Sequence, residues 1–147
     1  METTLSIIAI VLSVISGGFA FYTFVWTARR DRKQATLDAY NLLQEQALDR
    51  LNEYTGAEIK RIIEEKNKDE YRELSRCLAR IEHFSVGVNT GIYDKRTLYL
   101  MAHGYLDLGI WYKLQPVLEQ KQKGRQEEYY LNYQKLVAWM QQQKGTK

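Results

Sequence analysis

Two histidines and their acidic neighbours are the residues of this chain whose types and spacing could do chemistry. His103 and Asp107 stand four apart, so a helix would project both from one face. Glu82 and His83 come earlier and could approach from a preceding helix. Imidazoles beside carboxylates could bind a metal such as zinc, or work as general acid and base. A metal signature would want more: the sequence has no His-x-x-x-His or Glu-x-x-His pair. The simpler expectation is that His103 and Asp107 satisfy one another, or the backbone, inside a core. Cys77 is the only cysteine, so no internal disulfide can form, which fits a reducing compartment. Its apolar neighbours suggest packing rather than a reactive thiol. The expectation is a chain without catalytic residues, cofactor or metal, with His103, Asp107, Glu82 and His83 as the candidates to check.

The elements that must position these residues read as helices. There is one proline, Pro116, and few Gly-Asn or Gly-Asp turn pairs, against an all-β fold. The dominant stretch is Leu5 to Val25, continued to Ala28, with no charged residue. Its 24 residues make about 36 Å of helix, enough for a hydrocarbon core of about 30 Å. Twelve are Leu, Ile, Val or Phe, contributing up to about −4 to −7 kcal/mol towards insertion. We read it as one transmembrane helix. A cleavable signal peptide would want a basic start, but the chain opens Met-Glu-Thr-Thr, and apolar residues run past the passable cleavage site Gly18-Phe19-Ala20.

Arg29, Arg30, Arg32 and Lys33 follow the span at once, and no Lys or Arg precedes it. The positive-inside rule then puts the N-terminus outside and the remainder in the cytoplasm, anchored in the inner membrane. These four cations also face lipid headgroups. Ala9, Ser13 and Gly17 recur every four residues, with Ser16 and Ala20 in a parallel row. Small residues at that spacing let two helices approach closely in lipid, so a homo-oligomer is expected. Of the net charge of +3, the collar with Asp31 supplies +3 and Glu2 removes one, leaving 17 basic against 16 acidic residues. That balance offers no basic face for nucleic acid.

From Lys33 the helix should continue to Tyr54, with Leu37, Tyr40, Leu43, Ala47, Leu51 and Tyr54 as its apolar stripe. Thr55-Gly56-Ala57-Glu58 reads as a capping box opening a short helix with Ile59, Ile62 and Ile63. It ends in the charged run Glu64-Glu65-Lys66-Asn67-Lys68, read as a solvated connection. Asp69 is expected to cap the central helix, whose stripe is Tyr71, Leu74, Leu78, Ile81 and Val88, broadened by Cys77 and Phe84 and stopped at Gly91. Asp94 caps the next. Thr97 to Tyr112 is apolar enough to raise a second span, but it is short of about 20 residues and contains Asp107, so a buried core helix is expected. Pro116 should kink or break it, and Gly124 separates a last helix with Tyr130, Tyr133, Val137 and Met140 inward and Trp139 flanking. Tyr129, Tyr130 and Tyr133 cannot all face inward, and Gln141 to Lys147 should fray.

Arg80-Ile81-Glu82-His83-Phe84, Gly87, Gly91, Asp94, Trp111 and Pro116 fall in an order that resembles a bacterial family of short single-pass proteins, those with the helical domain of unknown function DUF4760. In that pattern a helix ends in Glu-x-Phe and spaced glycines, an Asp opens the next, and an aromatic precedes a proline. Members often carry Arg before the proline, where this chain has Gln115. The resemblance implies a membrane-anchored helical bundle and no established activity.

The expected architecture is all-α. Residues 1–28 form a transmembrane anchor, 29–54 a basic juxtamembrane segment with a helical extension, and 55–147 a cytoplasmic domain, with about five helices bundled after the span. The expected function is that of a non-enzymatic, self-associating interaction module with an unidentified protein partner. A membrane effector whose assembled spans perturb the bilayer is the alternative.

Overall fold

The computed structural model of the chain describes residues 2–65, 68–124 and 130–145. Tyr129, the Lys66-Asn67 part of the charged run and the last two residues of the segment expected to fray, Thr146 and Lys147, lie outside them. No strand occurs among the described residues, and the helices group into five rods. The first rod is α1 (Glu2–Leu43), a π-helical turn (Gln44–Leu48) and α2 (Asp49–Glu53). Next come α3 (Gly56–Glu64) and α4 (Lys68–Asn89). The fourth rod joins α5 (Lys95–Gly104), a second π-helical turn (Tyr105–Ile110) and α6 (Trp111–Gly124), and α7 (Leu131–Lys144) is the last.

The first rod lives in two environments. From Ile7 to Phe24 its large apolar side chains are 51–72% exposed, with no protein against them. This is the one helix among the described residues long and apolar enough to cross a membrane. Thr36 is the first fully buried side chain, and below it Tyr40, Leu43, Ala47, Leu48 and Leu51 join the core. Leu48 is not part of the expected stripe. The π turn adds a residue and so brings both Ala47 and Leu48 inward.

Pairings along the first rod give the register. Asp94 donates its backbone N–H to Thr36 Oγ1 at 2.8 Å, Tyr40 faces Phe84 with ring centres 6.4 Å apart, Arg80 donates to the Gln46 side chain, and Arg50 pairs with Glu73. Each step along the rod from its exposed apolar stretch meets an earlier residue of α4 or the turn after it, so α4 runs antiparallel, back towards that stretch. Its stripe of Leu74, Cys77, Leu78, Ile81, Phe84 and Val88 is buried as expected. The capping box at Thr55 and Glu58 forms both of its bonds, and α3 packs on α6. Fully burying a Leu or Ile is worth about 1.5–3 kcal/mol, so Leu43, Leu48 and Leu51 alone fasten the lower rod to the bundle.

Three local expectations need correction. The helix begins at Lys68, so Asp69 sits in its first turn instead of capping it, where a carboxylate still suits the positive helix end. Pro116 breaks nothing. α6 runs through it, and the chain's departure from α geometry comes earlier, at Tyr105–Ile110. Gln141 to Lys144 remain helical instead of fraying, because Lys144 and Gln141 both hold on to Asp107.

Candidate functional site

The corner between α4 and α5 gathers most of the residues that carry the family resemblance. Gly91 ends α4 in the left-handed region at φ 80°, where a side chain would be strained, and the chain turns sharply. Tyr93 then folds back. Its N–H donates to the Gly87 carbonyl at 3.1 Å and its ring stacks on Phe84 at 5.4 Å. A methyl group at Gly87 would collide with that ring, so position 87 must be bare. Asp94 caps α5 by accepting from the Thr97 N–H at 2.7 Å. That bond is the largest cause holding the Asp94 carboxyl below its ordinary range; burial opposes it, and Lys33 and Arg32 add to it.

Glu82 works at the other side of the same helix. Its carboxylate accepts the backbone N–H groups of Asn132 (3.0 Å) and Tyr133 (2.8 Å) and the Asn132 side-chain amide (2.9 Å). The first turn of a helix has unsatisfied N–H groups and a positive dipole end. Tyr130, the N-cap of α7, lies in the left-handed region and has no short capping oxygen, so a carboxylate from α4 supplies the cap. Asn89 adds a bond to the Asn132 carbonyl at 2.9 Å. Glu82 is therefore the clamp that docks α7.

The other three candidates occupy separate settings. His83 is exposed on the rim of an apolar groove of about 190 Å³, with Ala39, Leu42, Leu43, Arg80, Phe84 and Tyr93. His103 stacks on Tyr99 at 4.6 Å, and its Nδ1 lies 2.8 Å from the Tyr99 carbonyl. A carbonyl can only accept, so Nδ1 carries the proton. Asp107 is fully buried in the second π turn, its Oδ2 2.8 Å from Lys144 Nζ. This is an ion pair outside hydrogen-bonding angles, and among the described residues neither carboxylate oxygen has a hydrogen bond. Thus the backbone satisfies His103 and a lysine pairs Asp107, and the two do not pair with each other. Among the described residues no group of three or more His, Cys, Asp and Glu is placed to hold a metal ion.

Lys144 had no sequence signal beyond being a lysine in the last turn of the last helix. The partners of the π turns were equally hidden. A π turn leaves carbonyls out of the ordinary ladder, and side chains from neighbouring rods meet them here. Tyr105 O–H donates to Leu48 (3.4 Å), Tyr133 O–H to Leu106 (2.9 Å), and Gln141 to Asp107 (3.4 Å). Burial, with Asp107 nearby, pushes the Tyr133 hydroxyl far above its ordinary pKa, so it stays a donor.

A second, polar groove of about 300 Å³ lies between the first rod and α4, lined by Gln46, Arg50, Glu73, Arg76, Cys77 and Arg80. Its arginines are already engaged, Arg50 and Arg76 with Glu73 and Arg80 with Gln46. The Arg50 hydrogen bond is the main reason the Glu73 carboxyl sits below its ordinary range. Burial, then Glu73, pushes the Cys77 thiol up, which disfavours a thiolate.

No curated protein and no solved structure matches the chain. The family model described as Domain of unknown function (DUF4760) matches residues 10–140. That match takes in most of the exposed apolar stretch of α1, the α4–α5 corner, the Glu82 clamp and both π turns, and the chain belongs to the DUF4760 family.

Proposed function

We propose that the protein is a non-enzymatic, membrane-anchored interaction module of the inner membrane, with its bundle in the cytoplasm, acting by protein–protein contact as a homo-oligomer. The observation that carries this reading is an apolar strip on the outside of the fourth rod. Leu100 is 71% exposed, Leu108 41% and Tyr112 61%, with Gly104 between them at the same four-residue step and Met101 alongside. The inner side of that rod is already spent on Leu98, Ala102, Leu106 and Ile110. An aligned strip of this kind marks a contact site more often than scattered single residues do.

Arg29, Arg30, Arg32 and Lys33 support the cytoplasmic orientation and a headgroup contact. Ala9, Ser13 and Gly17 support pairing of the spans. They lie on the uncovered part of α1, and a side chain at Gly17 would meet nothing within the chain itself. The experiment is photocrosslinking in native membranes from a probe at Leu108, with a probe at Lys60 as control. Adducts specific to position 108, of one size and lost in Tyr112→Glu, are expected. Equal labelling from both positions removes the reading. Gly17→Leu should abolish pairing of the isolated span in a membrane dimerisation assay.

A further inference from the structure

The corner between α4 and α5 has a feature that neither packing nor capping explains: its tip is apolar and bare. Ile92 is 64% exposed between Gly91 and Tyr93. The tip is also held firmly, since Gly91 fixes the turn and Tyr93 is pinned on Gly87 and Phe84. A rigid turn that presents an isoleucine outward presents it to something.

Position along the first rod indicates to what. Thr36 ties Asp94 to the rod, and it stands eight residues beyond Ala28, about 12 Å along the helix axis. The headgroup layer occupies about 5–7 Å of that distance. The corner therefore sits roughly 5–7 Å below the headgroups, within a Debye length of about 8 Å and within reach of long side chains. From Phe19 to Leu43 the rod contains neither glycine nor proline, so the bundle cannot swing away without bending a helix.

Charge points the same way. At this level the rod carries Arg29, Arg30, Arg32 and Lys33, and the start of α5 adds Lys95 and Arg96. The opposing carboxylates are Asp31, Asp38 and Asp94. Asp94 is engaged as a cap, Asp31 is within 3.7 Å of Arg30, and Asp38 accepts from Gln34. The far end of the bundle carries no such excess: its exposed Glu53, Glu58, Glu64 and Glu65 are offset by Lys60, Arg61 and Lys68, with Lys60 beside Glu64 and Arg61 beside Glu65. Of the two ends, the one beside the span suits an anionic surface.

We propose that the α4–α5 corner is a second lipid contact: Ile92 and Arg96 seat on an anionic bilayer surface beside the spanning helix and fix the tilt of the bundle. This rests on α1 crossing the membrane, and the test separates the two. The full chain, with Cys77→Ala, carries one cysteine-linked fluorophore at Ile15, Ile92 or Lys60. It is reconstituted in vesicles of phosphatidylcholine alone, or of equal parts phosphatidylcholine and phosphatidylglycerol, with spin-labelled lipid as quencher.

In the mixed vesicles the Ile92 probe should be quenched at least about twofold more than the Lys60 probe, and Arg96→Glu, added salt or pure phosphatidylcholine should erase that difference. Ile15 quenched with Ile92 equal to Lys60 overturns the corner contact and leaves the span standing. Ile15 unquenched removes the span, and the corner contact with it. Should Cys77→Ala unfold the bundle, hydrogen exchange of the unaltered chain reads the same contact. Slower exchange at residues 90–96 on mixed vesicles than in neutral detergent supports it, and equal exchange overturns it.

Discussion

Residues 5–28 and 97–112 are both apolar enough to raise the question of a membrane, yet they sit in opposite settings. The first run buries nothing within the chain between Ser6 and Val14, and its large side chains stand clear on every side. The second is one-sided: Leu98, Ala102, Leu106 and Ile110 face the core while Leu100, Leu108 and Tyr112 face out. It also contains Asp107, which a lysine from another helix reaches. The lesson is that mean hydropathy does not separate a run exposed on every side from a core helix. Uniformity around the axis and the supply of a partner for any charge do.

The largest effect that sharpens this contrast comes from truncating the inner side of the second run. Leu106→Ala should cost about 2–5 kcal/mol, since its site is sealed and cannot collapse easily. Ile15→Ala should leave the unfolding midpoint of the bundle unchanged, because nothing in the bundle touches it. Denaturant unfolding of the full chain in mild detergent, followed by tryptophan fluorescence, reads both. Equal losses would mean the two runs share an environment.

A charge placed in each run gives the next effect. Ile15→Arg should oppose membrane integration by about 3 kcal/mol. Leu100→Arg, on the exposed side of the second run, should leave integration unchanged and the fold within about 0.5 kcal/mol. The carbonate-resistant fraction of the expressed protein measures the first, and the same denaturant experiment the second. If Leu100→Arg also lowers the carbonate-resistant fraction, the second run touches lipid.

The ion pair that lets Asp107 remain inside comes third. Lys144→Met would leave a buried carboxylate alone, a loss of about 3–5 kcal/mol for a fully enclosed pair. Lys144 is about one-third exposed, so about 2–3 kcal/mol is the expected cost. Combining it with Asp107→Leu should recover most of the loss, because the apolar pair carries no desolvation penalty. A double variant less stable than the single one would show that the Asp107 carboxylate has a role beyond its pairing with Lys144.

The sequence made the elements legible and their fastenings much less so. Periodicity located all five rods, and local chemistry located the Thr55 and Asp94 caps and the Gly91 stop, because each depends on residues within one turn of one another. The candidate site was legible as residue types only. Glu82 looks like a possible ligand until the N-terminus of α7, fifty residues away, arrives beneath it. His103 and Asp107 look like a pair until the π turn at Tyr105 changes the angle between them. No pattern in the sequence marks a π turn, because the side chains that stabilise it come from other rods.

The smallest effect concerns how the second run begins. It opens at Asp94, half-buried in the corner, whose carboxyl is held below its ordinary range chiefly by the Thr97 N–H. A lowered folded-state pKa means the contribution is complete above the unfolded value of about 4 and is lost as pH falls through the lowered one. Asparagine caps nearly as well as aspartate, so Asp94→Asn should change stability near neutrality by less than about 0.5 kcal/mol. It cannot titrate, so it should lose less stability on acidification, and the melting temperatures of the two forms should converge or cross below about pH 4. A gap that stays constant well below that pH would mean that the Asp94 charge, set beside Lys33 and Arg32, does nothing for the corner, and that the cap is a matter of hydrogen bonding alone.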